Sequence, residues 1–252
     1  MSDDKPKANP TVEGYNLLAE NKDRVGTSPW GESDYQRHYV WPGVRPLLPD
    51  VARKRVFDAG CGIGDYTEWF LEHGAEVVGV DASSRAIAIA KSRLGHRADF
   101  HCTDLTNPLE FTAQSEFDLV FSNLVLGHIE HWRPVFEEFR RILTTDGTFV
   151  FTAIHPVRRY RRHRDELASY YDIDSYTLEW GDTGATVEQY HRPISEIVNS
   201  LSESGFRLDE FREITPQEDY RECNPDRYER ALKEPDTLCV RARPFDAEQE
   251  RL

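Results

Sequence analysis

A glycine-rich loop and two acidic residues are the part of this sequence best suited to bind a ligand. The loop follows the apolar residues Val56 and Phe57 and reads Asp58-Ala59-Gly60-Cys61-Gly62-Ile63-Gly64. Glycines let the chain turn sharply, and a helix that starts after such a loop presents unpaired N–H groups to a ligand. A second apolar run, residues 76–80, ends in Asp81. A carboxylate there is placed to accept hydrogen bonds from both hydroxyls of a ribose.

The order strand, loop, helix, strand and acid distinguishes this segment from an ordinary tight turn. The spacing is Gly-x-Gly-x-Gly with an acid two residues before it, whereas dinucleotide-binding loops read Gly-x-Gly-x-x-Gly. Asp65 stands where the third glycine of that second pattern would fall. At these residues the chain resembles the class I S-adenosylmethionine-dependent methyltransferases, whose first motif has this acid-x-Gly-x-Gly-x-Gly form.

The elements that must position these residues alternate between strands and helices. We predict strands near 54–59, 76–80, 98–102, 117–122 and 148–154, and helices near 65–73, 84–94 and 132–143, the last one closed by Gly147 as a left-handed cap. This alternation predicts right-handed βαβ units and a parallel sheet. Two later strands, near 207–214 and 237–243, are expected to complete the sheet as an antiparallel edge pair. The fold class is therefore α/β, and the resemblance implies a Rossmann-like, doubly wound sheet of seven strands in the order 3-2-1-4-5-7-6.

Ligands of open parallel sheets bind beyond the carboxyl ends of the strands. The candidate cofactor-binding residues at those ends are Asp58, Gly60, Cys61, Gly62, Gly64, Asp81, Ala82, Asp104, Leu105, Ser122 and Asn123. The resemblance implies S-adenosyl-L-methionine as the cofactor. It also implies that Asp104 accepts a hydrogen bond from the adenine amino group, with the Leu105 amide near the ring, and that Ser122 faces the methionine moiety.

We interpret the whole chain as a single domain, 1–252, with four parts. These are an N-terminal lid (1–50), a cofactor-binding core (51–155), a cap insert after strand five (156–192), and a C-terminal helix with edge strands (193–252). Tyr35 and Tyr39 are spaced to share one helical face, and Trp30 precedes them. They are either a helix packed on the core or an aromatic lid over cofactor and substrate.

Histidine is the side chain best suited to remove a proton near neutral pH. Three histidines are placed near the expected site: His128 follows strand four, His155 follows strand five, and His191 precedes the C-terminal helix. Each is a candidate base, and each has the alternative role of a structural histidine. The resemblance gives His128 a counterpart after the fourth motif, where a histidine often only frames the pocket.

Residues 158–164 contain five arginines, and Arg192 lies further along the insert. One reading is a solvated charged face. A second is capture of a carboxylate or phosphate on the acceptor by Arg158, Arg159 or Arg192, since guanidinium forks match those groups. Contact with RNA is a third reading, which the acidic composition disfavours.

The formal net charge of the 252 residues is −14, with 6 lysines against 25 arginines. This balance argues against a broad nucleic-acid surface, and it suits either a protein kept soluble in concentrated salt or a GC-rich genome. The four cysteines lack a metal-ligand spacing, so no metal site is expected. No apolar run is long enough to span a membrane, and we expect a soluble, cytoplasmic protein.

The expected function is methylation of a small molecule, with in-line transfer, alignment of the reactants and possible histidine-assisted proton removal. The atom methylated and the oligomeric state are left open. Alternatives are a non-catalytic S-adenosylmethionine-binding protein and, less favoured, an RNA methyltransferase or a nicotinamide-dependent oxidoreductase.

Overall fold

The computed structural model describes residues 10–22, 33–180 and 184–245. The strands in these ranges are β1 Arg55–Ala59, β2 Glu76–Asp81, β3 Asp99–Cys102, β4 Phe117–Asn123, β5 Leu143–Ile154, β6 Asp174–Trp180, β7 Ala185–His191, β8 Phe206–Glu213 and β9 Thr237–Pro244. Seven of them form one sheet in the order β3-β2-β1-β4-β5-β9-β8. The first five are parallel, and β9 is antiparallel to both β5 and β8.

The α-helices are α1 Pro10–Lys22, α2 Trp41–Val44, α3 Asp65–Glu72, α4 Ser84–Leu94, α5 Trp132–Ile142, α6 Pro156–His163, α7 Ile194–Glu203, α8 Tyr220–Cys223 and α9 Pro225–Ala231. A π-helical turn at Gln36–Val40 precedes α2, and short 3₁₀ turns lie at Arg45–Leu47, Gly95–Arg97 and Leu126–His128. The predicted Rossmann-like fold class is confirmed, because the sheet order matches when only its seven strands are counted.

Alternation along the strands gives the sheet two buried faces. Phe57 packs with Phe139 of α5 in one cluster, while Val56 packs with Phe70 of α3 in the other. Successive strand residues point to opposite faces, so both sides of the sheet need a helical layer. Helices α5 and α7 cover one face and α3 covers the other, which is the doubly wound arrangement.

The prediction of a left-handed cap at Gly147 is wrong. Its φ is not positive, and β5 already begins at Leu143, directly after α5. A Cβ built on Gly147 would lie 2.8 Å from Leu143 Cδ2 and 2.9 Å from the Thr144 carbonyl oxygen. Close packing at a bend in the strand therefore explains this glycine.

The insert after β5 contains a helix and two strands. Helix α6 begins at Pro156, and His155 caps it by accepting a hydrogen bond from the Val157 N–H at 3.3 Å. Strands β6 and β7 then form a separate antiparallel hairpin. Sequence analysis missed α6, α8 and α9.

Within the described ranges, no helix combines the length and the apolar character that crossing a membrane requires. Residues 1–9 and 23–32 of the expected N-terminal lid lie outside the described residues.

Candidate functional site

The glycine loop between β1 and α3 is tied to the end of β2 by three hydrogen bonds that its backbone N–H groups donate. The N–H groups of Gly60 and Cys61 donate to the Val80 carbonyl oxygen at 2.7 and 2.9 Å. The Gly62 N–H donates to Asp81 Oδ2 at 2.8 Å. The loop and the candidate ribose acid are therefore held as one unit.

Gly60 and Gly62 both have positive φ, but their surroundings differ. A Cβ on Gly60 would lie 2.2 Å from Val125 Cγ2, so the space is filled by protein. A Cβ on Gly62, at φ 55°, would meet no atom within 4 Å. Gly62 thus borders an open cradle on the ligand side of the loop.

Asp81 is oriented by backbone donors. Besides the Gly62 bond, its Oδ1 accepts from the Ser83 N–H at 2.8 Å. Each carboxylate oxygen has acceptor capacity for more than one hydrogen bond, so ligand hydroxyls can still bind. Ser83 in turn caps α4 and donates its hydroxyl to Asn16 Oδ1 at 2.7 Å, which joins α1 to this end of β2.

Asp58 is only 2% exposed and accepts a hydrogen bond from the Thr67 hydroxyl at 2.6 Å. Burial raises the pKa of this carboxyl to about 7, the bond from Thr67 opposes the shift, and the charges of Asp81 and Asp65 add to it. Asp58 therefore titrates near neutral pH and braces the loop against α3.

The end of β4 carries an unusual backbone conformation. Leu124 has φ 58°, and its N–H donates to Thr152 Oγ1 at 2.9 Å. Thr152 donates its hydroxyl to Asn123 Oδ1 at 2.7 Å. Left-handed conformations outside glycine cluster at functional sites, and this one lies beside Val125, which packs on Gly60.

The acid after β3 forms a local turn. Asp104 Oδ1 accepts from the Thr106 N–H at 2.9 Å and from the Thr106 hydroxyl at 2.8 Å. Leu105 is buried in the core, so its position next to Asp104 is fixed.

Helix α1 crosses from this edge of the sheet to the insert. Thr11 Oγ1 accepts from the Glu188 N–H at 3.0 Å, and a Cβ on Gly14 would lie 2.5 Å from the Thr186 carbonyl oxygen. Tyr15 lies between Gly14 and Asn16 in this helix, and its Oη lies 2.6 Å from His128 Nε2.

Gln189 of β7 is the centre of a buried polar cluster. Its Oε1 accepts from Arg159 and, at 2.9 Å, from the Tyr176 hydroxyl. Its Nε2 lies 3.1 Å from His128 Nε2. His128 Nδ1 lies 2.8 Å from the Glu188 carbonyl oxygen, which can only accept, so the proton is on Nδ1 and Nε2 is an acceptor. Burial lowers the pKa of His128 to about 4, so the ring is neutral at pH 7.

The chain is similar to known proteins in both sequence and structure. Residues 57–151 match the family model of a methyltransferase domain. Among solved structures, an S-adenosylmethionine dependent methyltransferase from Mesorhizobium loti is 28% identical with a TM-score of 0.67, and the alignment covers 81% of this chain and 96% of that chain.

Residues 57–151 are a methyltransferase domain, and the predicted resemblance to class I S-adenosylmethionine-dependent methyltransferases is confirmed.

Two more proteins are similar to this chain. A candidate S-adenosylmethionine dependent methyltransferase from Listeria monocytogenes, 23% identical, has the same fold with a TM-score of 0.72 over 82% of this chain and 96% of its own. The malonyl-[acyl-carrier protein] O-methyltransferase of Enterobacter lignolyticus is 31% identical over 107 residues, which are 42% of this chain. The alignment spans 41% of that relative's length. The predicted family and its cofactor, S-adenosyl-L-methionine, are confirmed.

The residues of this methyltransferase fit that cofactor. The open space at Gly62 accepts a ligand against bare backbone, and Asp81 stands beside it with an orientation fixed by two N–H donors. Ser122 fits less well, because it is fully buried and its hydroxyl donates to the Ala59 carbonyl oxygen at 3.0 Å. That bond favours a structural role in joining β4 to β1.

The three candidate histidines differ in which ring nitrogen is available. His155 Nδ1 is used by the α6 cap, and its Nε2 lies 3.0 Å from Glu213 Oε1. His191 donates from Nε2 to the Tyr170 carbonyl oxygen at 2.8 Å, and its Nδ1 is sealed from solvent without a partner in the described part of the chain. Burial lowers the pKa of both rings. His128 is the one whose acceptor nitrogen lies in the cluster with Tyr15 and Gln189.

The predicted aromatic residues pack mainly on the core. Tyr35 and Tyr39 stack with ring centroids 5.2 Å apart, as their spacing predicts. Tyr39 is fully buried, donates to the Ile214 carbonyl oxygen and accepts from the Asp236 N–H, which favours the packing alternative. Trp30 lies outside the described residues.

The three candidate arginines make different contacts. Arg158 pairs with buried Asp236 at 3.2 Å. Arg192 is buried over the Trp132 ring at 4.0 Å and donates to the Ile129 carbonyl oxygen, a structural arrangement. Arg159 lies in the Gln189 cluster.

Sequence analysis missed Tyr15 and Gln189. A signal for Gln189 was present, because Val187, Gln189 and His191 alternate with polar residues and occupy the buried positions of β7. Tyr15 carried no comparable signal, since the buried and exposed positions of α1 show little apolar periodicity in the sequence.

Proposed function

We propose that this protein catalyses methyl transfer from S-adenosyl-L-methionine to a small molecule. The observation that carries the proposal is the pairing of two features at one edge of the sheet. One is the Gly62–Asp81 cradle, and the other is the enclosed polar cluster of Tyr15, His128 and Gln189. Helix α1 joins them, because adjacent residues Tyr15 and Asn16 reach His128 and Ser83 respectively.

When bound, S-adenosyl-L-methionine supplies a sulfonium methyl group that an acceptor lone pair attacks in line, with the electrons of the broken C–S bond remaining on sulfur. The chain's own task is to hold the acceptor in line and to exclude water. Helix α1 and strand β7 of the insert would contribute to that enclosure, since α1 contacts Ser83 after β2 and His128 after β4, and β7 contacts His128.

Proton removal is assigned to Tyr15 and His128. The Tyr15 hydroxyl donates to His128 Nε2, so the Tyr15 oxygen can accept a proton from the acceptor while its own proton moves to Nε2. His128 is a weak base, because its pKa is lowered to about 4. An acceptor O–H or N–H becomes strongly acidic as it is methylated, however, and a weak base then suffices.

Two alternatives are less well supported. A nicotinamide-dependent oxidoreductase would need a third glycine in its dinucleotide-binding loop. Asp65 stands at that position, and its carboxylate pairs with Arg93 at 2.7 Å. The net charge of −14 disfavours an RNA acceptor.

The test is a calorimetric comparison of S-adenosylhomocysteine with NAD, followed by an assay for S-adenosylhomocysteine release with a panel of small acceptors. We expect saturable binding of S-adenosylhomocysteine, none of NAD, and release that depends on one class of acceptor. Preference for NAD would contradict the cofactor assignment. Binding without release for any acceptor would favour the non-catalytic alternative.

A further inference from the structure

Arg159 is a largely enclosed cation that lacks an acidic partner among the residues the structure describes. No carboxylate oxygen of the described residues lies within 4.0 Å of its guanidinium, whereas Arg158 beside it pairs with Asp236 at 3.2 Å. Its contacts are the hydrogen bond to Gln189 Oε1 and the Tyr176 ring, whose centroid lies 5.2 Å from Cζ. A cation removed from water without a counter-charge is costly, so such a residue is a candidate for binding an anion.

The guanidinium still has donors to offer. One of its five N–H groups is used by Gln189. The buried side-chain nitrogens that lack a partner in the described residues belong to other side chains, such as Arg192 and His191. The remaining donors of Arg159 therefore reach accessible space, where a second group can pair with them.

The position of Arg159 is continuous with the proposed reaction site. From Arg159 the hydrogen bonds run through Gln189 to His128, at 3.1 Å, and on to Tyr15, at 2.6 Å. The pKa of Tyr15 is raised chiefly by burial, with Asp81 raising it further and Arg159 lowering it. Tyr15 thus lies within electrostatic reach of both the cofactor-side acid and this arginine.

We propose that Arg159 binds a carboxylate of the acceptor, with Gln189 and the Tyr176 ring holding the guanidinium in position. This inference rests on the proposed function and specifies its acceptor class. One guanidinium that no acid of the described ranges neutralises matches one singly charged group, and its planar fork fits a carboxylate with two parallel hydrogen bonds. A carboxylate held in this way has its lone pairs engaged and is a poor nucleophile. The carboxylate is therefore the anchor, and the methyl group goes to another atom of the acceptor.

The test uses the full chain saturated with S-adenosylhomocysteine. Acetate, succinate and benzoate are titrated by calorimetry beside their neutral amides, with inorganic phosphate as a further probe. Arg159→Gln is compared with Arg162→Gln, which removes the same charge from an exposed position of the same helix. Thermal unfolding and S-adenosylhomocysteine affinity are measured for each variant, so that failure of the cofactor site is recognised separately.

We expect at least one carboxylate to bind about tenfold to a hundredfold more tightly than its amide, the range for a hydrogen bond to a charged group. Arg159→Gln should abolish this preference with cofactor affinity unchanged, while Arg162→Gln should retain it. Equal binding of acid and amide, no saturable binding of any carboxylate, stronger binding of phosphate, or a preference that survives in Arg159→Gln would overturn the proposal. Loss of S-adenosylhomocysteine binding in the unmodified protein would instead contradict the proposed function.

Discussion

Tyr15 and His128 are 113 residues apart in the chain, and the Tyr15 oxygen lies 2.6 Å from His128 Nε2. Because His128 Nδ1 donates to the Glu188 carbonyl oxygen, the Tyr15 hydroxyl must be the donor in this contact. The Tyr15 bond fastens α1 to the segment that follows β4, and the Nδ1 bond fastens that segment to the β6–β7 hairpin. The two hydrogen bonds of the His128 ring thus connect the N-terminal helix, the core and the insert.

Replacing Tyr15 with phenylalanine should loosen α1 without unfolding the core. Loss of one buried hydrogen bond costs about 1 kcal/mol, which corresponds to about fivefold faster amide exchange in 10–22. Hydrogen exchange followed by mass spectrometry measures this rate. Tyr190→Phe is the matched control, because the Tyr190 hydroxyl donates to Glu188 Oε2, at 3.1 Å within the same strand β7, and not to α1. Unchanged exchange in 10–22 would mean that the Tyr15 contact does not hold the helix.

The fold was predictable because its signals are local. Val56 and Phe57 give the two faces of β1, and the apolar spacing of Val135, Phe136 and Phe139 marks α5. Gly147 misled the prediction, since a glycine chosen for close packing looks the same in sequence as one chosen for a left-handed cap.

The site was predictable only where it follows the chain. Gly62 and Asp81 belong to one βαβ unit, so their meeting follows from topology. The cluster of Tyr15, His128 and Gln189 depends on how α1 packs across the β6–β7 hairpin. The spacing of residues along the sequence does not predict that packing. Arginine roles were similarly open, because the pairing of Arg158 with Asp236 is set by tertiary contacts.

The two loop glycines should give different defects when replaced by alanine. In Gly60→Ala the new methyl would lie 2.2 Å from Val125 Cγ2, which with the left-handed strain should cost about 2–5 kcal/mol of unfolding free energy. In Gly62→Ala the strain alone should cost about 1–2 kcal/mol, since no protein atom is near.

Cofactor affinity should show the opposite order, with the larger loss in Gly62→Ala and the smaller loss in Gly60→Ala. The Gly62→Ala methyl projects into the cradle and should weaken S-adenosylhomocysteine binding by about tenfold or more. Urea unfolding and calorimetry on both variants separate the effects. Equal loss of stability in the two, with equal affinity, would contradict an open cradle at Gly62.

Asp58 should make the protein less stable as the pH rises toward neutral. Its pKa is raised from 3.8 to about 7, so between these values the folded state holds a proton that the unfolded state has lost. The contribution to stability is full at low pH and falls by up to about 1.4 kcal/mol per pH unit until about pH 7. His128, whose pKa is lowered to about 4, has the opposite dependence between about pH 4 and 6.5.

The variant Asp58→Asn removes the contribution of Asp58 to the pH dependence of stability and leaves that of His128. The difference in unfolding free energy between the unmodified protein and this variant should shrink from about pH 5 to about pH 7 and stay constant above that. Denaturant unfolding at several pH values measures it. Parallel curves for the two proteins would show that Asp58 is ionised throughout and that its burial is compensated.

Salt should stabilise the protein. With a net charge of −14, self-repulsion among carboxylates is screened as ionic strength rises, so the melting temperature should increase from about 0.1 to about 2 M potassium chloride. The same titration near pH 5.1, the sequence pI, is the control, since the net charge vanishes there. A flat or falling melting temperature at neutral pH would leave the lysine-poor, acidic composition without a role in salt tolerance.

Calorimetric titration of S-adenosylhomocysteine into the unmodified protein, Asp81→Ala and Asp99→Ala tests the account most directly. Asp81 is oriented by the Gly62 and Ser83 N–H groups beside the cradle, whereas Asp99 is an exposed acid of β3 that contacts His101. Loss of the Asp81 carboxylate should weaken binding by roughly 2–4 kcal/mol, about thirtyfold to a thousandfold. It should also lower the melting temperature, because the Gly62 and Ser83 N–H groups lose their acceptor, so the titration is done at a temperature where the variant is folded. Asp99→Ala should bind as the unmodified protein does. If Asp81→Ala binds S-adenosylhomocysteine with unchanged affinity, the cofactor does not lie at this loop and the assignment of the site is wrong.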